Sequence, residues 1–288
     1  MCDGRYGDRD GRYGDRDGDY EKCSDGSEAY EMVRRDGVLR VRRPGTEWLS
    51  TGWNGGPHDG PCAYNVSVPE GWRCNSIDEY VSDRLDRAGF DRDGPILLTG
   101  VDLEHARGAR CGSVTAVATA GVSNPAALPM DPPGGVLPDG RLEVRSEGDT
   151  EYLNEDDSER WTGTVNLILG TTTRLEAGAL ANLIAVAAEV KAVTLLAETG
   201  FPGTTTDAIV VGHDPAGPSV EFSGSATAVG AATRACIREA LRASLRSRYA
   251  DGDGTIPASV ADAEYGVSTD VRATVFRPTA VSDSCDST

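Results

Sequence analysis

The sequence predicts a single domain of α/β or α+β class, with a mixed β-sheet packed against a long central helix and a C-terminal helix. Three observations point there. Residues 161–213 read as strand, helix, strand. A second helical stretch, Ala226 to Arg248, follows it. Short apolar runs closed by Gly, Pro or Asn fill the chain before both, as strands and their turns do.

Along the chain, residues 4–10 and 11–17 are an identical heptad, GRYGDRD, in tandem. Residues 1–35 offer little to bury and are assigned to a disordered Gly-, Asp- and Arg-rich tail. The domain should span 36–278, with a loose tail over 279–288. Its first strand is Val38 to Arg42, then Trp48 to Trp53 and a turn at Asn54-Gly55-Gly56-Pro57. Ala63 to Val68 is a strand stopped by Pro69, and Ile77 to Ala88 a helix with Ser76 as cap and Gly89 as stop. Ile96 to Val101 and Ser113 to Thr119 are further apolar strands. An acidic loop covers about 129–160, and a last strand is expected from Val267 to Phe276.

The central unit is the most informative. Thr164 to Leu169 is a β-branched, apolar strand closed by Gly170. Thr173 and Glu176 have the spacing of a capping box, so the helix should run from Leu175 to Thr199 and stop at Gly200. It is apolar on nearly every face, as a helix packed on both sides would be. Between Glu176 and Glu198 its charges are Glu189 and Lys191, which point apart by about 200°. Asn182 shares the face of Glu189. An unpaired buried charge costs several kcal/mol, so these groups reach a cleft, find partners elsewhere or touch solvent. Gly203 to Asp207 (GTTTD) then leads into a strand, Ala208 to Val211.

The charge of −18 and pI near 4.5 exclude general nucleic-acid affinity. Lys22 and Lys191 are the two lysines; the other basic residues are arginines. An acidic, lysine-poor surface suits a protein from high salt, where screening removes self-repulsion. The seven cysteines form no CxxC pair, and His58, His105 and His213 stand apart, so no metal motif is present. Cys111 and His105 are a weak thiol–imidazole pairing. The stripe Arg234, Arg238, Arg242, Arg246 reads as a solvated face, with an anion site as the lesser alternative. The Ala-rich, charge-interrupted helix is a poor membrane span, and the cytoplasm is the expected compartment.

Four polar loops adjoin the apolar strands: Asn54–Gly56, Ala120–Asn124, Gly163–Asn166 and Gly203–Asp207. Glycine lets a ligand approach the backbone, and the hydroxyls and amides supply hydrogen bonds. Turns use the same residues, so each alone is weak. No phosphate loop, G-x-S-x-G or G-x-G-x-x-G is present.

In order, LSTGWNGG, AYNVSVP, VTAVATAGVSNPA, the stretch GTVN to LAETG, GTTTDAIVVG and FSGSATAVG resemble the adenosylcobinamide amidohydrolase family of corrinoid salvage. The resemblance covers about Trp48 to Leu245. It implies hydrolysis of the amide that joins aminopropanol to a propionate arm of the corrin ring, giving adenosylcobyric acid. The corrinoid is then substrate, and no cofactor is implied. The chain lacks the D-x-H-x-x-G by which base-off cobalamin proteins give a histidine to cobalt.

Catalytic roles follow from the chemistry of amides, which needs an activated water or nucleophile, oxyanion donors and a proton for the leaving amine. Asp207 is the first choice as general base or anchor, and Glu189 the second. Lys191 would stabilise charge or protonate the amine, and Thr206 would be a nucleophile if a base lies beside it. Ser123, Asn124 and Asn166 are candidate donors; Asn54, Gly55, Gly56, Thr204 and Thr205 are candidate substrate contacts. Two other readings stand beside this one: a non-catalytic corrinoid-binding protein, and a phosphate-handling transferase using GTTTD as an anion cradle. A homo-oligomer is left open.

The charge yields a first prediction. The melting temperature should rise steeply between dilute buffer and molar KCl, followed by circular dichroism; a flat profile would contradict the high-salt reading.

Overall fold

The computed structural model describes residues 29–69, 72, 74–137, 163–250, 254–263 and 265–279. In chain order the strands before the first helix are β1 (Glu31–Arg35), β2 (Val38–Arg42), β3 (Glu47–Ser50), β4 (Gly56–Asp59) and β5 (Cys62–Ser67). Helix α1 (Ile77–Ala88) precedes β6 (Ile96–Thr99), β7 (Arg107–Cys111), β8 (Val114–Ala120) and the short β9 (Ala126–Ala127). Then come β10 (Val165–Thr171), β11 (Arg174–Leu175), α2 (Ala177–Thr199), β12 (Ala208–His213), β13 (Ser219–Val220), α3 (Ala228–Tyr249) and β14 (Val267–Ser268).

The expected mixed sheet is divided in two. One sheet has the order β1-β2-β5-β6, the other β4-β3-β12-β10-β8-β7. Period-two alternation sends each strand's residues to opposite faces, and this sorts the core into three seams. Val38, Tyr64, Val66 and Ile96 meet Val81 and Leu85 of α1. Their sequence neighbours Leu39, Val41, Ala63 and Leu97 face Val117, Ile168 and Val210 of the second sheet. Ala116, Leu167, Leu169 and Val211, on that sheet's far side, pack against α2 and α3. The order of layers is therefore helix, sheet, sheet, helices.

Between the sheets, aromatic bulk and glycine are matched. Gly170 and Gly212 are register partners on β10 and β12, and Trp48 of β3 is the partner of Gly212. A Cβ at Gly170 would lie 2.2 Å from the Tyr30 ring, and one at Gly212 would lie 2.5 Å from the Trp48 indole. The two rings sit edge to face at 5.7 Å. Burial pushes the Tyr30 phenol up to about 12, and its hydroxyl donates to the Thr171 carbonyl at 3.2 Å. Arg43 donates to Asp214 at 2.6 Å across the same end, which holds that carboxyl below its usual range.

Helix α1 forms as expected: Ser76 accepts from the Glu79 N–H at 3.2 Å and Gly89 is left-handed. Elsewhere the structure differs from expectation. The first strand is β1, whose charged EMVRR lies inside the stretch assigned to the tail. It is an edge strand, paired on one side and burying little, so its sequence need not look apolar. The Thr173–Glu176 capping box does not form: Arg174–Leu175 pairs with β13, and the Glu176 side chain caps nothing. Helix α2 is not enclosed on both sides, since Val193 and Leu196 are 60% and 54% exposed. It is long and apolar enough to cross a membrane, but here it packs on the sheet and α3. Of the last expected strand, Val267–Ser268 alone pairs, with β9. The heptads and most of the acidic loop lie outside the described residues.

The aromatic hollow gives the second prediction. Gly170→Ala should destabilise the fold by roughly 1–3 kcal/mol through overpacking, read from the midpoint of urea unfolding in high salt. An unchanged midpoint would mean the Tyr30 ring does not occupy the hollow.

Candidate active site

One end of the sandwich collects the polar loops. The segments leaving β3, β5, β6 and β8 and those entering β10 and β12 all emerge there, because β10 and β12 run antiparallel to β3 and β8. A cleft of about 270 Å³ opens between the sheets at this end. Its second-sheet wall is Thr51, Gly52, Trp53, Thr164, Thr206, Asp207 and Ala208. Val68, Leu97, Leu98 and Gly100 form the opposite wall, and Ile77 adds the start of α1.

Asp207 is the hub. Its carboxylate accepts from the Val165 N–H and the Thr204 N–H, each at 3.0 Å, from the Thr204 hydroxyl, and from the Lys191 ammonium. The Asp207 side chain is 8% exposed and that of Lys191 13%. Lys191 comes from α2, so the ion pair fastens helix to loop. Gly203 makes room for it: a Cβ there would stand 2.7 Å from the Asp207 carboxylate and 3.2 Å from Lys191 Nζ.

The other loops are tied to this hub. Asn124 Nδ2 donates to the Thr205 hydroxyl at 2.6 Å, and its carbonyl accepts from the Thr205 N–H at 3.3 Å. The Thr164 hydroxyl donates to the Thr206 carbonyl at 2.9 Å. Gly163 has φ of +107°, and a Cβ there would meet Ser123 Oγ at 2.2 Å, so glycine is required twice over. Behind the cleft, Asn166 Nδ2 donates to Asn65 Oδ1 at 3.0 Å and to the Leu98 carbonyl at 2.8 Å. Asn65 in turn donates to Thr119 at 2.9 Å, which links the two sheets through buried amides.

The structure thus brings together Asp207, Lys191, Thr204, Thr205, Thr206, Ser123, Asn124 and Asn166. Asp207 and Thr206 line the cleft, whereas Thr204, Thr205, Asn124 and Asn166 secure its walls. The Thr206 hydroxyl meets no imidazole or carboxylate among the described residues. Asn54 to Gly56 form the β3–β4 turn beside the cleft, and Asn54 takes a positive φ of 50°. Glu189 lies elsewhere: it is on the opposite side of α2 from Lys191 and pairs with Arg234 of α3 at 2.5 Å. Asn182 bonds Ser223, away from the GTTTD loop. The arginine stripe is the solvated face, with Arg242 joined to Glu198 at 2.6 Å. His105 faces Ser247 at 3.1 Å, while Cys111 packs on the helix-side core. No group of three metal-ligating side chains occurs among the described residues.

Sequence reasoning missed Thr51 and Trp53. The signal was there in LSTGWNGG, but the turn glycines drew the assignment two residues too far along.

The buried acid–ammonium pair sets its carboxylate among hydroxyls in a cleft between strand ends of this α/β fold, an arrangement that can hold a polar ligand. The model of the adenosylcobinamide amidohydrolase family matches residues 20–253. The chain is 55% identical over 251 residues to a protein named adenosylcobinamide amidohydrolase from Halobacterium salinarum, covering 86% of this chain and 100% of that one. It is 29% identical over 213 residues to a Methanosarcina mazei protein of the same name, covering 70% and 91%. The chain belongs to the adenosylcobinamide amidohydrolase family.

The third prediction concerns the hub. Lys191→Met leaves Asp207 buried without its counter-charge and should cost about 3–5 kcal/mol of stability. Denaturant titration measures it; a loss within about 0.5 kcal/mol, typical of a solvated surface site, would mean the pair is open to water.

Proposed function

We propose that the protein hydrolyses the amide between aminopropanol and a propionate arm of adenosylcobinamide, releasing adenosylcobyric acid. Membership of the family carries this reading, and the Asp207 carboxylate, backed by Lys191 in a cleft whose other lining side chains are hydroxyl or apolar, offers it a site. The cleft of about 270 Å³ lies near the lower end of ligand pockets, roughly 300–1,000 Å³, so the arm is assigned to it and the macrocycle to its rim. The arm enters and the ring stays outside.

Hydrolysis adds water oxygen to the carbonyl carbon, breaks the carbon–nitrogen bond and returns a proton to nitrogen. Asp207 is the one carboxylate lining the cleft and is assigned the proton from water. Asp207 passes that proton on to the leaving amine, while Lys191, which lies behind it on α2 and does not line the cleft, holds the carboxylate by donating to it. The hydroxyls of Thr51, Thr164 and Thr206 line the path of the arm, and Thr206, with no base beside it, serves as a donor instead of a nucleophile. Glu189, held by Arg234 on the outer face of α2, takes no part. The cytoplasm is the proposed compartment.

Incubation with adenosylcobinamide in molar KCl without nucleotide should yield adenosylcobyric acid and aminopropanol, resolved by chromatography. Asp207→Asn, checked for folding by circular dichroism, should lower kcat by about 10² to 10⁴. Unchanged corrinoid, or strict dependence on ATP, would overturn the reading. Tight binding without cleavage would replace it with corrinoid carriage.

A further inference from the structure

We infer that Trp53 is a substrate-recognition residue, its indole packing against the corrin edge at the cleft mouth while the aminopropanol arm passes inward. This rests on the proposed reaction. Trp53 lines the cleft and is also half-buried, so its ring bridges the interior and the surface. It is the one aromatic side chain among the lining residues.

Its position is built, not incidental. The Thr51 N–H donates to the Ile209 carbonyl at 2.9 Å, and the Ile209 N–H donates to the Thr51 hydroxyl at 2.9 Å. These bonds extend the β3–β12 pairing up to the cleft. At Gly52 a Cβ would stand 2.4 Å from Leu97 Cδ2, so the chain there lies close against β6, and the next side chain lines the cleft while packing on the α1-side core. Asn54 then turns with φ of 50°, its carbonyl held by His58 Nε2 at 3.0 Å. The Arg92 guanidinium sits 5.4 Å from the indole centroid and is fixed by Asp78 of α1 at 2.7 Å. Arg92 is not among the lining residues, so it braces the ring without occupying the cleft.

The macrocycle, assigned to the rim, rests beside the arm's entry. A braced indole supplies a flat apolar surface there, against which the edge of a ring decorated with uncharged amides can pack.

The test compares wild type, Trp53→Ala and Trp53→Phe in molar KCl. Trp53→Ala should raise KM for adenosylcobinamide about tenfold or more, with kcat nearly unchanged, and Trp53→Phe should restore most of the loss. Equilibrium dialysis with adenosylcobyric acid, which keeps the ring and lacks aminopropanol, should show a weakening of similar size. An unchanged KM would overturn the inference, as would a fall in kcat alone. Undiminished affinity for adenosylcobyric acid would also overturn it, because the indole would then touch the arm and not the ring. Absence of turnover by wild type would defeat the proposed reaction instead, and dialysis would still report on Trp53.

Discussion

A carboxylate taken out of water must be given donors, and Asp207 obtains them from three parts of the chain. Val165 opens β10, Thr204 belongs to the loop before β12, and Lys191 lies in the middle of α2. None of these can shift without leaving a buried charge undersatisfied, a cost of several kcal/mol. The requirement fixes how far β10 and β12 extend at this end and how α2 is rotated upon them. It also explains why Gly203 and Gly163 are glycines: the loops must approach one another more closely than a side chain would allow. The cleft is the space left once those demands are met.

The two sheets are joined by different means at their two ends. Near the cleft the link is polar, through Asn65, Asn166 and Thr119, all at most 2% exposed. Hydrogen bonds are directional, so this link sets the register of one sheet on the other where the walls must line up. At the far end Tyr30 and Trp48 are seated over Gly170 and Gly212, and the Tyr30 hydroxyl and the Arg43–Asp214 pair add polar ties. That contact supplies bulk burial. The candidate site sits at the end where the geometry is held by amides.

Much of this was legible in the sequence, and the exceptions share a cause. Ser76 and Gly89 announced α1 because capping is local, and the apolar runs of β8, β10 and β12 were visible because burial on both faces removes polar residues. The division into two sheets was not visible, since strands of either sheet obey the same period. β1 was hidden by its charges, and the capping box failed because Arg174–Leu175 found a better partner in β13. At the site, the opposite directions of Glu189 and Lys191 could be read from helical geometry. Which of them met the Gly203–Asp207 loop could not, because that depends on where α3 lies. Arg234 claimed one and Asp207 the other.

The charge inventory of the cleft bears on why this chemistry suits it. The lining presents hydroxyls, apolar groups and a carboxylate already compensated by Lys191. An uncharged amide loses little on entering such a space, since the threonines replace part of its hydration. A phosphate would arrive to find no uncommitted cation among the lining residues and a carboxylate nearby. That lining therefore favours a neutral amide over an anion, and the Lys191 partner keeps Asp207 in place within it.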